Sequence, residues 1–268
     1  MPTITVNGHT LHTAEAGSGP PVVMVHGTLQ DQRYWAPQMQ PLAEAGYRAI
    51  ALSLRHFWPE QWDGVGDDFT IAQHMEDVAA VIRTLGGPVR LIGHSRGGHI
   101  AFRLAGAYPA LLHQLVLAEP GGELDETLGG APATGAQAAT FRQAAEMVRD
   151  GKLEEGMAFF ADYTGGKGAW GRRPEARRQV ARDNARTLLG QINEARKPYG
   201  LDAVKLIRTP TLFVQGENTQ PQFKTIIAAM LPHVAGAESV VVPRATHSMS
   251  LENPADFNTA VLGFFARA

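Results

Sequence analysis

A serine, a histidine and a carboxylate, widely separated along the chain, are the side chains best placed by type and context to do chemistry. Gly93-His94-Ser95-Arg96-Gly97-Gly98 follows the apolar run Val89–Ile92 directly and precedes a helical period that starts at Ile100. A serine at such a strand-to-helix turn is held with its hydroxyl exposed above a sheet edge. The flanking glycines are needed because a side chain at Gly93 or Gly97 would collide as the chain doubles back. The helix that follows aims its amide dipoles at the serine and favours an anion there. A serine hydroxyl is a poor nucleophile at neutral pH and needs a base within hydrogen-bond reach. His247 follows Val240-Val241-Val242-Pro243, which puts it in a loop at the end of a strand. Among the ten histidines, His9 and His12 lie on an N-terminal hairpin and His113 and His233 near helix ends, so they are poorer candidates. With His247 as base, activity is expected to rise as the imidazole loses its proton near its ordinary pKa of about 6.5.

A nucleophile and base from remote segments meet only if a sheet brings strand ends to one edge. The sequence supplies such strands at Val22–Val25, Arg48–Leu54, Val89–Ile92, Leu115–Ala118, Thr211–Val214 and Val240–Val242. They are apolar throughout and alternate with helical periods: Ile71, Met75, Val78, Ala79 and Ile82 share one face, and Ile100–Ala107 reads as another helix. That alternation predicts an α/β fold with a mostly parallel sheet covered on both faces. Ile4 and Val6, the Asn7-Gly8 turn and Leu11 predict an N-terminal hairpin. From Glu119 to Thr209 no strand is evident, and the text is helical over Gln137–Val148, Leu153–Tyr163 and Pro174–Ile192, with glycines and prolines at its hinges. The expected organisation is a core of residues 1–120 and 206–268 with a helical cap, residues 121–205, inserted between two late strands. An Ala-rich stretch near Ala131–Ala139 is the one hint of low complexity.

The elbow around Ser95, His26-Gly27 at an earlier strand end and Ala245-Thr246-His247 after the last strand resemble the α/β-hydrolase fold family, from about Pro21 to the C-terminus. The family order of nucleophile, acid and histidine agrees with Ser95 preceding His247. The resemblance implies Ser95 as nucleophile, His247 as base and the backbone amides of Thr28 and Arg96 as oxyanion donors, while His26 supports its loop. The acid departs from the common pattern. The family often places an aspartate three residues after the glycine that ends the strand Thr211–Gln215, and Gly216-Glu217-Asn218-Thr219 has threonine there. Glu119, at the end of Leu115-Val116-Leu117-Ala118, is one replacement; some members, haloalkane dehalogenases among them, keep their acid at that earlier strand end. Glu217 is the alternative. Glu119 is favoured, because a carboxylate closing an apolar strand is harder to explain structurally than one in a polar loop.

Leu29 and Trp35 beyond the oxyanion loop, Trp58 and the cap's Trp170 are candidate substrate contacts that would suit an apolar or aromatic small molecule, although clustered aromatics are more often packing. The Arg96 side chain is expected to pair with a neighbouring acid, and Asp31 with Arg33 to form a structural ion pair. The basic run Arg172-Arg173 to Arg177-Arg178 reads as a solvated helix face. Gly166-Lys167-Gly168-Ala169-Trp170-Gly171 spells GxGxxG without a preceding strand and is discounted. Histidines and carboxylates do not cluster at ligand spacing, so no metal and no cofactor are expected.

The 268 residues carry 24 Lys+Arg against 26 Asp+Glu and no cysteine. Near-neutrality gives no pull toward nucleic acid or an anionic membrane, and without cysteine there is no disulfide, thiolate metal site or cysteine nucleophile. No apolar stretch approaches the roughly 18 residues of a membrane span, and the N-terminus lacks a signal-peptide pattern. A cytoplasmic monomer or homodimer is the expectation. The leading function is a serine hydrolase cleaving a small ester or lactone, or the carbon–carbon bond of a β-diketone with the same residues. The alternatives are a cofactor-free dioxygenase of N-heteroaromatic substrates, which resembles this chain in its histidine base and early acid, and a weakly catalytic small-molecule receptor.

Overall fold

The computed structural model describes residues 1–130, 136–192, 194 and 196–267. Eight strands form one sheet: β1 Thr3–Val6, β2 His9–Ala16, β3 Pro21–Val25, β4 Arg48–Leu52, β5 Val89–His94, β6 Leu112–Ala118, β7 Thr211–Gly216 and β8 Glu238–Val242. Their order is β1-β2-β4-β3-β5-β6-β7-β8. The hairpin β1–β2 joins β4 antiparallel, and every later pairing is parallel. Asn7 and Gly8 both take positive φ, 49° and 71°, the conformation of a two-residue hairpin turn whose twist matches the strands.

Side chains of β3 alternate between two cores. Val23 and Val25 pack with Ile50, Leu91 and Leu115 on one face, and Val22 and Met24 with Ala49, Ile92 and Val116 on the other. Burial on both faces is why these strands read as continuous apolar runs instead of alternating ones. The helices Ile71–Thr84 and Arg96–Ala107 cover the first face, and Ala36–Glu44 and Pro254–Phe265 the second.

Between β6 and β7 the named elements are helical, and Leu29 packs into a third cluster with Phe141, Phe160, Trp170 and Leu188 from these helices. Most of the Ala-rich stretch, residues 131–135, lies outside the described residues. The continuous helix expected over Pro174–Ile192 is instead two, Glu175–Asp183 and Thr187–Gln191. The break falls at Asn184, whose Nδ2 donates to Asp31 Oδ2 at 2.7 Å while its Oδ1 accepts the Trp58 amide at 2.8 Å. A side chain committed to two loops replaces helix continuation with a clamp between this helical segment and the loops after β3 and β4. Among the described residues no helix is long and apolar enough to cross a membrane.

Candidate active site

Strand β5 ends at His94, and the helix Arg96–Ala107 begins two residues later, so Ser95 must turn the chain alone. It does so at φ 52° and ψ −114°, a region that non-glycine residues occupy at a cost of about 1–3 kcal/mol. A Cβ at Gly93 would run into the Gly97 carbonyl, and one at Gly97 into the carbonyls of Val25 and His26. The elbow therefore depends on close backbone approach at both glycines. Ser95 N donates to Ala118 O at 3.0 Å, fixing the turn against β6.

Glu119 continues β6 and is likewise held at positive φ, 42°. Its side chain is fully buried but well supplied with donors. Oε1 accepts the Gly216 amide at 2.7 Å, Oε2 accepts the Thr219 hydroxyl at 2.8 Å, and Oε2 lies 2.5 Å from His247 Nδ1. Thr219 occupies the position where the family's usual aspartate is missing, and its hydroxyl now supports the carboxylate that takes the imidazole. Glu217 points elsewhere: it is exposed, and its Oε2 accepts the Arg244 amide at 2.8 Å. The alternative acid does not reach His247.

The imidazole of His247 is stacked on Phe223 with ring centroids 3.8 Å apart and 12° between planes. Its carbonyl takes a 2.8 Å bond from His94 Nε2, and His94 in turn stacks on Tyr34 at 4.7 Å. Burial lowers the His247 pKa below its ordinary value, the Arg173 charge adding to the depression and Glu252 opposing it. Burial pushes the Glu119 carboxyl upward against the pull of the Gly216 and Thr219 donors. With three donors converging on one carboxylate we assign the shared proton to Nδ1, which leaves the Nε2 lone pair free.

Ser95 and His247 open onto one cavity of about 480 Å³, within the usual range for a small-molecule site. Its apolar wall includes Leu29, Phe160, Val180, Ala181 and Leu251. Thr28 is also on this wall, its hydroxyl held by Gln191 Oε1 at 3.0 Å. The residue after it, Leu29, has φ 61°. His26 supports the loop from below: Nδ1 donates to Gly27 O at 2.8 Å, and Nε2 accepts the Leu54 amide at 3.1 Å.

Of the four side chains expected to touch substrate, only Leu29 lines this cavity. Trp35 is wholly buried in the second core near Phe257. Trp58 lies under the Arg33 guanidinium at 3.7 Å, on a separate polar cavity with Arg182 and Asp183. Trp170 is sealed in the third hydrophobic cluster, with Nε1 donating to Glu154 at 3.0 Å. The Arg96 side chain also leaves the cavity: it pairs with Glu194, while its amide stays at the elbow. Asp31 and Arg33 form the expected ion pair at 2.7 Å.

The solvated reading of the basic run fails at two positions. Arg173 and Arg177 are partly buried and line the cavity, whereas Arg178 pairs with Glu175 at 2.7 Å. Spacing alone cannot tell these apart: Arg173 closes the short helix Ala169–Arg172, while Arg177 and Arg178 are neighbours on the helix Glu175–Asp183, whose docking decides which of the two faces the cavity. Against the expectation of no such cluster, folding also gathers the remote His9 with His56 and Glu60, themselves four residues apart, with potential ligand atoms all within 4.8 Å of one another. Their polar atoms already bond one another, Glu60 taking His9 Nε2 at 3.0 Å and His56 Nδ1 at 2.9 Å, with Asp68 on His56 Nε2 at 2.7 Å.

A 117-residue stretch is 34% identical to the AB hydrolase superfamily protein YfhM of Bacillus subtilis, covering 42% of this chain and 41% of that protein. A 101-residue stretch is 35% identical to epoxide hydrolase 2 of Siraitia grosvenorii, covering 37% of this chain and 32% of that one. In both, the matched stretch is well under two thirds of the relative's length. Over nearly the whole length, the structure superposes on a malate-bound thermophilic esterase from Thermogutta terrifontis with a TM-score of 0.77 at 25% identity, covering 99% of this chain and 96% of that one. The model of the alpha/beta hydrolase family matches residues 22–260, and with the sheet order and elbow described above it establishes that the chain belongs to that family.

Proposed function

We propose that the protein is a serine hydrolase of small esters or lactones, with Ser95 as nucleophile, His247 as base and Glu119 as acid. The observation that carries this reading is the convergence on one cavity of a serine held at φ 52° and a histidine bonded at 2.5 Å to a buried carboxylate. Ser95 Oγ attacks the substrate carbonyl carbon as His247 Nε2 takes its proton. The amides of Thr28 and Arg96 stabilise the oxyanion, and backbone donors of this kind need no reorganisation as charge develops. The C–O bond then breaks, the departing alkoxide taking the proton from His247. Water, deprotonated by the same nitrogen, attacks the acyl-serine and releases the acid, restoring Ser95. Residues 121–205 act as the cap, contributing Phe160, Val180 and Ala181 to the wall.

Some relatives open epoxides, but Ser95 favours a carbonyl substrate on chemical grounds. Attack on an epoxide carbon would leave an ether on the serine, with no carbonyl for the oxyanion donors to activate and no route to release. An acyl-serine has both.

A fluorophosphonate probe tests the nucleophile. One adduct per chain, mapped by mass spectrometry to Ser95 and absent from Ser95→Ala, is expected. Labelling elsewhere, or none in a folded protein, rejects the assignment. The pH profile tests the base. The reactive form needs neutral His247, and a lowered pKa keeps it neutral to lower pH. The acid limb of kcat/KM should therefore fall below the ordinary histidine value of about 6.5, further to the acid side than the sequence alone suggests. A limb centred at or above that value would contradict the buried, Arg173-depressed base.

A further inference from the structure

Arg173 and Arg177 are the cavity's unexplained charges. Arginines in this fold commonly meet carboxylates: Arg33 pairs with Asp31 and Asp183, Arg55 with Asp68 and Asp77, and Arg182 with Glu154 and Glu175. Among the described residues no carboxylate oxygen lies within ion-pair distance of Arg173 or Arg177. Arg173 has two long contacts, Nη2 to Thr164 Oγ1 at 3.5 Å and its guanidinium carbon to the Trp170 ring centroid at 5.9 Å, and the Arg177 side chain donates once, to the Leu251 carbonyl at 2.6 Å. Glu252 acts on Arg173 only across space; its oxygens take the Thr246 amide at 2.6 Å and the Thr246 hydroxyl at 2.9 Å. Partly buried guanidiniums with most of their five donors unused are costly unless something pairs with them.

Their position suggests what does. Both line the cavity that holds Ser95 and His247, and both also line a smaller adjoining cavity of about 260 Å³ that shares Thr164, His247, Ser248 and Glu252 with it. The two guanidiniums therefore stand where the spaces meet, with the apolar wall of Leu29, Phe160, Val180 and Ala181 in the larger one. Two forked donors at one end of an apolar cavity suit a planar carboxylate on a short hydrocarbon chain. Arg173 and Arg177 outnumber Glu252 here, and Arg172 adds a further positive charge on the smaller cavity.

We infer that Arg173 and Arg177 form a carboxylate-binding subsite, and that the preferred substrates are esters or lactones carrying a second, free carboxylate. This rests on the hydrolase reading above and adds the substrate class. The bound carboxylate would anchor one end of the substrate, so that the chain between it and the reacting carbonyl sets which ester bond meets Ser95.

The test compares monomethyl adipate, which has one methyl ester and one free carboxylate, with dimethyl adipate, its neutral counterpart. Wild-type kcat/KM is expected to favour the half-ester by roughly 10–100-fold, the range of charge-assisted hydrogen bonds left unpaired by the neutral ester. Arg173→Gln with Arg177→Gln should bring that ratio close to one, and Arg173→Lys, which keeps the charge without the fork, should retain part of it. If the double variant does not fold, Arg177→Gln alone should still lower the ratio. A wild type that treats both esters alike, or a ratio unmoved by the substitutions, overturns the inference. If neither ester is cleaved, the hydrolase reading is what fails for these substrates. The subsite is then judged by calorimetric titration of adipate into Ser95→Ala. Binding abolished by the paired Gln substitutions supports it, and no binding at millimolar adipate overturns it.

Discussion

Glu119→Gln is expected to lower kcat/KM by about 10³–10⁴-fold, while Glu217→Gln stays within about two-fold of wild type. The large effect follows from where the donors sit. The Gly216 amide can only donate, so a glutamine at 119 must turn its oxygen toward Gly216 and its NH₂ toward Thr219 and His247. Thr219 can adapt by accepting, because a hydroxyl does both. His247 cannot adapt without loss: an NH₂ facing Nδ1 makes that nitrogen the acceptor and moves the ring proton to Nε2, where the lone pair is needed. The substitution thus preserves shape and reverses the tautomer. Glu217 is exposed, and its side chain bonds only the Arg244 amide, so its loss touches neither base nor nucleophile. Steady-state kinetics on one activated ester, with thermal melts to show that both variants fold, decides the matter. A Glu119→Gln enzyme within ten-fold of wild type would remove Glu119 from the mechanism.

How much of this was legible beforehand depended on how local the cause was. The elbow was readable because its strain and its glycine requirement lie within six consecutive residues, Gly93 to Gly98. The inner strands β3 to β7 were readable because burial on both faces leaves an unbroken apolar signature, although β5 and β7 each extend two residues past their runs, to His94 and Gly216. The position of the proposed acid was half readable. Threonine at the usual aspartate position showed that something had moved, but its bond to Glu119 needed β6 and β7 side by side. Phe223 against His247 carried no signal, since an aromatic early in the helix Pro221–Met230 looks like ordinary packing. The helical segment between β6 and β7 was least legible. Asn184 breaks a strong helical pattern because its partners, Asp31 and the Trp58 amide, come from loops more than a hundred residues earlier. Arg177 and Arg178, adjacent on one helix, differ in fate only through how that helix docks.

Arg96 shows the same long reach with a large energetic consequence. Its side chain is fully buried. The acid expected beside it is not a sequence neighbour but Glu194, 98 residues on in the chain between β6 and β7, with contacts of 2.5 Å and 2.6 Å from the two terminal nitrogens. Nη2 also donates to His74 Nδ1 at 2.8 Å, and Phe69 lies 4.8 Å from the guanidinium carbon. Burial holds His74 well below its ordinary pKa, so it is neutral and can accept that bond. Glu194→Leu is expected to lower unfolding stability by about 3–5 kcal/mol, because it leaves Arg96 buried without a counter-charge. Arg96→Met should cost less, since Arg196 still bonds Glu194 at 2.9 Å. Combining the two substitutions should recover much of the loss, as removing both charges of a buried pair is far milder than removing one. Urea unfolding of the four proteins measures this, and losses that simply add would show that the pair is not coupled. The pH dependence gives an independent reading. The two arginines hold the Glu194 carboxyl down at about 2 from an ordinary 4.5. A depressed carboxylate contributes stability above its unfolded pKa and loses it as pH falls through the folded one. Wild type should therefore shed the pair's contribution between about pH 4.5 and 2, a loss the doubly substituted protein does not share.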